Sequence, residues 1–240
     1  MIIQEQEQAI TDYLIFHQLP LDILLEVKDH MLSQVSDIQA EENVSFEEAF
    51  HKTQKLWESE FRMTKYSVFY AEEIPVIVKK IVRARNNRLL KKSVLLGLVS
   101  LALSFIFIYL ADDADHYTDL FRIQNGLFIV VPIMIWAFNY KMLKYIRHDH
   151  KYKGKLFYTM YQQNAALTFS MIGLMAQIIV KDGRYPYLFF RENNYSEIGY
   201  VLVTLLLPYI IQVLIIFVML NFFGHKKAVV RIEDFLNAQV

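Results

Sequence analysis

The stretch SVLLGLVSLALSFIFIYL, residues 93–110, decides the fold of this 240-residue chain. It contains no charged residue and no proline. As a helix that rises ~1.5 Å per residue it would be ~27 Å long, close to the hydrocarbon thickness of a bilayer. The sequence therefore predicts a membrane-spanning helix at this position.

Charges of opposite sign flank the stretch. Three carboxylates follow it, and a basic collar precedes it: Lys79, Lys80, Arg83, Arg85, Arg88, Lys91 and Lys92. Because segments rich in Lys and Arg stay in the cytoplasm, the collar is predicted to contact membrane lipids at the cytoplasmic surface. Two arrangements are left open: a basic amphipathic helix lying on that surface, or an ordinary positive flank of the span.

Three further apolar runs, at 126–140, 156–180 and 198–223, predict a bundle of four transmembrane helices over residues 93–223. The first of these runs has only fifteen residues and contains Pro132, a length that would also suit a re-entrant segment.

Charge favours a full crossing at this second run. The loop after it is strongly basic, the connection before it (112–119) is acidic, and the tail from 224 to 240 is basic again. Four crossings place every basic segment in the cytoplasm together with both termini. We therefore predict a multi-pass protein whose N- and C-termini are cytoplasmic, with 112–119 as an acidic outer loop.

The first quarter of the chain is acidic and helical in pattern. Residues 1–73 hold fifteen of the twenty-five acidic residues but only five bases. Since phosphate contacts need clustered Lys and Arg, we predict that this acidic segment does not bind nucleic acid. Apolar spacing predicts helices at about 3–18 and 21–39, and Ser45 with Glu48 forms a capping box that opens a third helix.

The predicted architecture is all-α. A cytosolic three-helix domain over 1–61 continues through a basic amphipathic connector, 62–92, into the four-helix transmembrane region, and residues 224–240 form a cytosolic tail.

Three short motifs of the N-terminal domain resemble a known family: Leu19–Pro20, Glu26 with His30, and the Ser45–Ala49 segment SFEEA. They are similar to the HAAS-type helical domain found at the N-terminus of bacterial membrane proteins. The resemblance implies a signalling or interaction module without catalysis, in the bacterial inner membrane. The candidate partner-binding residues are Glu26, His30 and Trp57.

The sequence lacks the patterns that mark catalysis or a bound cofactor. There is no cysteine, no P-loop, no G-x-S-x-G and no H-E-x-x-H. Glu26 and His30 supply only two of the three or four ligands that a metal site needs. The acidic group from Asp112 to Asp119 does not have EF-hand spacing, although cation binding there is left open. We predict a protein that is not an enzyme and has no metal or cofactor.

Amide side chains interrupt the predicted spans. Gln163, Asn164, Gln177 and Gln212 are expected to bond neighbouring helices or to line a dimer contact, because amides in lipid need a polar partner. The alternative is a small ligand-binding cavity. The favoured function is a regulatory or scaffolding membrane protein whose head docks a protein partner, with a homo-oligomer left open. The competing function is an accessory subunit of a transporter, or a small permease, that uses these amides as a path.

Overall fold

The computed structural model describes residues 3–17, 19–65, 73–142, 160–181 and 183–238, with the backbone alone at 160–166 and 235–238. These residues form eight α-helices, a 3₁₀ turn at Tyr140–Met142 and one small hairpin, so the predicted all-α class holds apart from that hairpin. The elements, in chain order, are α1 Gln4–Phe16, α2 Leu21–Glu42, α3 Phe46–Phe61, β1 Met63–Lys65, β2 Glu73–Pro75, α4 Val76–Leu110, α5 Ala114–Phe138, α6 Met160–Val180, α7 Tyr185–Arg191 and α8 Ile198–Ala238.

Contacts divide the described residues into two compact units. The head unit comprises residues within Met1–Arg85 and His225–Val240, and the membrane unit comprises residues within Asn86–Leu143 and Met160–Gly224.

The three short helices at the start of the head unit form where the apolar spacing predicts them. Helix α2 packs against both α1 and α3. The buried side chains of these helices include Ile10 on α1 and Leu24 and Met31 on α2. The predicted cap is present, because the Ser45 hydroxyl accepts a hydrogen bond from the Glu48 backbone N–H at 3.2 Å.

Helix α2 runs three residues further than predicted. It ends at Glu42, and Asn43 follows in the left-handed conformation with φ 51°. Asparagine tolerates this conformation and commonly closes a helix with it. Glu41 and Glu42 are therefore part of α2.

The connector contains a hairpin that the sequence pattern did not predict. Strands β1 and β2 pair antiparallel, with Thr64 opposite Ile74. Helix α4 begins directly after Pro75 and continues for 35 residues, ~52 Å at the usual rise. On its first turns Val78 and Val82 are buried, at 0% and 2% exposure. Other parts of the protein therefore cover Val78 and Val82. This favours an ordinary positive flank of the span over an amphipathic helix that lies on the membrane surface.

Three helices in the described part of the chain, α4, α5 and α8, are long and apolar enough to cross a membrane. In α6 the apolar part is shorter, Leu167–Val180, and the predicted start of this span at 156–159 lies outside the described residues.

Helix α5 corrects the predicted acidic loop. It begins at Ala114, where the Asp113 carboxylate accepts a hydrogen bond from the His116 backbone N–H at 2.7 Å. Asp115 and Asp119 therefore lie on the first turns of a 25-residue helix, where their negative charge favours the helix N-terminus. Helix α8 likewise continues past the predicted end of the fourth span, through Ala238.

Candidate functional site

Aromatic side chains of α1 and α3 meet in one group, the aromatic cluster: Tyr13, Phe16, His17, Phe50, Trp57 and Phe61. The spacing along each helix explains why they meet. Residues three, four and seven apart share one face of a helix, and the members of this cluster are separated by these intervals on α1 with its C-cap and on α3.

The rings touch in the arrangements that aromatic pairs prefer. The His17 ring stacks on Phe61 with a centroid distance of 4.4 Å, and Trp57 stacks on Phe61 at 5.8 Å. Tyr13 meets the edge of Phe61 at 5.7 Å. Such pairs contribute about 0.5–1.5 kcal/mol each beyond the burial of their area, so the cluster is a defined surface.

One side of this cluster is open to solvent. Phe61 is 5% exposed and forms the floor, whereas Phe16 is 79% exposed at the edge, where its ring contacts His17. Trp57 is half-buried, and its indole N–H donates to the Gln34 side-chain oxygen at 2.7 Å. The donor is therefore satisfied while the ring face contributes to the surface.

The surroundings of the cluster are negatively charged. Burial raises the pKa of Tyr13, and the nearby Glu58 carboxylate raises it further. Burial also lowers the pKa of His17, so its imidazole is neutral at pH 7. Two lysines of the head are engaged by carboxylates: Lys28 on α2 with Glu7 at 2.7 Å, and Lys52 on α3 with Glu42 and Glu48.

Of the predicted partner-binding residues, one belongs to the cluster. Trp57 is a member, whereas Glu26 and His30 lie one turn apart on α2, half-buried and exposed respectively. Within the described residues, no three His, Asp or Glu side chains come together as a metal site. Sequence reasoning missed Tyr13, Phe16 and His17 as a surface; their spacing of three and four was the available signal.

The basic collar separates into two groups. Three of its residues bond other residues of the head unit. Lys80 pairs with Glu60 at 2.5 Å, Arg85 pairs with Asp22 at 3.1 Å, and Lys79 donates to the Lys65 carbonyl at 2.7 Å. The other four residues are exposed: Arg83, Arg88, Lys91 and Lys92.

The Asp22 carboxylate is the most deeply buried charge in these contacts. Burial raises its pKa, and the Arg85 guanidinium opposes that rise. One oxygen bonds Arg85, and the other has no hydrogen-bond partner among the described residues. The ionised form is therefore held mainly by Arg85.

Amides of the membrane unit bond one another across helices. The Gln212 side chain on α8 donates to the Asn125 side chain on α5 at 3.0 Å. Gln124 donates to the Ser100 hydroxyl on α4 at 2.9 Å, and Ser104 donates back to Gln124 at 3.1 Å. All but Ser104 are buried, and together they link three helices.

The other predicted amides are placed differently. On α6, Gln177 is exposed, and the side chains of Gln163 and Asn164 lie outside the described residues. Sequence reasoning missed Gln124 and Asn125 because it started the second span at 126. The first turns of α5 carry charged residues that hid the true start of the helix.

Two side chains of α7 bond backbone carbonyls at the C-terminal end of α4 and in the turn after it. The Tyr187 hydroxyl donates to the Asp112 carbonyl at 3.0 Å, and the Arg191 guanidinium donates to the Tyr109 carbonyl at 2.8 Å. The last carbonyls of a helix lack partners within it, so Arg191 supplies a donor that α4 cannot, while Tyr187 bonds the turn that follows α4. The sequence carried no signal of this contact.

Comparison with known proteins found no matching family model, curated protein or solved structure. The HAAS resemblance thus stays a prediction that depends on three short motifs. At the level that the structure supports, the described residues are helical apart from one small hairpin, with three short N-terminal helices and three long apolar helices able to cross a membrane.

Proposed function

We propose that this chain is a regulatory or scaffolding protein of the bacterial inner membrane whose cytosolic head docks a protein partner. The observation that carries the proposal is the open aromatic cluster in the head unit. Exposed apolar patches on the parts of a protein outside the membrane mark interaction sites. Trp and Tyr are enriched among the interface residues that contribute most of the binding energy.

The proposed topology has four crossings, by α4, α5, α6 and α8, with residues 1–61 and 224–240 in the cytoplasm. The exposed part of the basic collar supports this orientation, because Arg88, Lys91 and Lys92 directly precede the apolar half of α4. Lys226 and Lys227 are exposed on α8 past its apolar part, which supports the same side for the C-terminus.

An in-cell crosslinking pull-down tests the docking function. The intact chain is compared with one that lacks residues 1–82, which removes the head helices, the hairpin and the buried Val78 and Val82 together. Cutting at 61 would leave those two side chains without cover. A soluble partner that is captured only by the intact chain is the expected result. An unchanged set of integral membrane partners would refute head-dependent docking.

The competing function, an accessory transporter subunit or small permease, needs amides that are free to bind a solute. Asn125 and Gln212 bond each other, so they do not offer such a path in this arrangement. Flux into liposomes that contain the purified chain discriminates between the two functions, with Gln212→Leu as the matched variant. We expect no flux in either sample above that of empty liposomes.

A further inference from the structure

We infer that the aromatic cluster is the docking surface and that its occupant is a basic amphipathic segment of a partner protein. The inference rests on the proposed function and specifies both the surface and the chemistry of the partner.

The apolar component of the partner follows from the geometry of the cluster. The ring of Phe16 is mostly exposed beside His17, while the buried Phe61 holds His17 and Trp57 in place. A surface with a rigid floor and an open edge loses little conformational entropy when it is covered. Apolar side chains of a partner are what such a surface binds.

The basic component follows from charge. Residues 1–61 contain thirteen Asp and Glu residues against three Lys. Helix α1 has no base, and Asp12 on α1 and Glu58 on α3 lie next in sequence to cluster residues. Arg62 follows Phe61, so residues 1–62 carry thirteen acidic side chains and four basic ones. His17 is neutral, and the excess of nine negative charges makes the field at this surface negative. Complementary charge steers association and excludes wrong partners.

The same charge argues against the other occupants. An anionic lipid surface attracts basic segments and repels an acidic one, so Phe16 is poorly suited to insert into the membrane. A second copy of the head would bring two acidic surfaces together, and like charges facing each other are unfavourable. A basic segment with an apolar face removes both conflicts.

Site-specific photo-crosslinking in the full chain tests the occupant. The substitution Phe16→p-benzoylphenylalanine is made in cells, and the crosslinked peptide is identified by mass spectrometry. The matched control is Ala40→p-benzoylphenylalanine, an exposed position near the end of α2. We expect an adduct at residue 16 but not at residue 40. The attached peptide should belong to another protein and carry an excess of Lys and Arg with apolar residues at helical spacing.

A charge-reversal arm makes the test specific. Asp12→Lys with Glu58→Lys, added to the residue-16 crosslinker, should lower the adduct yield by about tenfold, since removing attraction at two positions weakens binding. Asp37→Lys with Glu41→Lys makes the same change of net charge on exposed positions of α2 and should leave the yield unchanged. Circular dichroism confirms that each variant keeps its helix content.

The outcomes separate this inference from the proposed function. An adduct at residue 16 with lipid, with a second copy of this chain, with another segment of this chain, or with an acidic peptide would overturn the inference. So would the absence of any adduct. In each of those cases the pull-down with and without residues 1–82 still decides whether the head docks a partner at all.

Discussion

At the scale of single residues, two pairs of buried polar side chains meet across helices. Asp22 on α2 meets Arg85 on α4, and Gln212 on α8 meets Asn125 on α5. Removing one member of a buried pair costs more than removing both, because the remaining polar group loses its partner without regaining water.

Arg85→Met leaves the buried Asp22 carboxylate without its cation. We expect the head to lose about 3 kcal/mol of stability at neutral pH, since breaking a buried ion pair is strongly destabilising. The midpoint of thermal unfolding, followed by Trp57 fluorescence in a Trp136→Phe background, measures this loss. Trp57 and Trp136 are the two tryptophans of the chain, so that background reports on the head alone.

The loss should depend on pH with a definite sign. The pKa of Asp22 is raised in the folded head, so its contribution to stability is greatest in acid and declines as the pH rises through that pKa. Without Arg85 the pKa rises further. The variant should therefore recover towards the parent as the pH falls and Asp22 takes up a proton. A loss that is equal in neutral and acidic buffer would contradict this assignment.

Gln212→Leu strands the oxygen of the Asn125 amide inside the membrane unit. Interhelical hydrogen bonds in membranes contribute about 1 kcal/mol, and we expect a loss of that size. Asn125→Leu combined with Gln212→Leu should restore part of it, because neither amide is then left unpaired. Unfolding of the purified chain in mixed micelles of increasing dodecyl sulfate content measures the cycle. Additive single losses would show that the two side chains do not interact.

At the scale of elements, the helices of the membrane unit approach closely at one glycine. A Cβ added at Gly97 on α4 would overlap the Val213 side chain on α8 and lie 3.2 Å from the Tyr209 ring. A Cβ added at Gly126 on α5 meets no atom within 4 Å. Small residues allow helix backbones to come together in lipid, so Gly97 sets the contact between α4 and α8.

Gly97→Ala should destabilise the membrane unit by about 1–3 kcal/mol, because Val213 has no flexible end to move aside. The matched variant Gly126→Ala should be neutral or more stable, since alanine favours helix and finds open space. Both are measured in the same micelle titration. Equal behaviour of the two variants would mean that α4 and α8 do not pack through Gly97.

The elements also show which structural signals the sequence contains. Ser45 with Glu48 predicted a cap correctly because both partners lie within one turn. The start of α5 was misplaced because Asp115, His116 and Asp119 look like loop residues, whereas a helix N-terminus also favours acids. The ion pair of Asp22 with Arg85 joins residues 63 positions apart, and a single sequence carries no pattern for such a contact.

At the scale of the whole molecule, the proposed topology is open to a direct chemical test. The chain has no cysteine, so a single introduced thiol reports its own side of the membrane. Asp115→Cys and Glu197→Cys should react in intact cells with a thiol reagent that cannot cross the membrane, because four crossings put them outside. Ser36→Cys should react only after lysis. Labelling of Ser36→Cys in intact cells would show that the orientation is the opposite of the one proposed.

The contact between α7 and α4 sets an order of events during biosynthesis. The Arg191 guanidinium donates to the carbonyl of Tyr109, and the ribosome adds Tyr109 to the chain 82 residues before Arg191. At ~5–20 residues per second the interval is ~4–16 s. In the proposed topology, the newly inserted α4–α5 hairpin must satisfy its turn throughout that time with water or with the insertion machinery. A ribosome arrested before α7 should therefore hold a hairpin that a protease added on the outer side cuts at residues 111–113, and cleavage should slow once Arg191 bonds Tyr109 and fixes the backbone there.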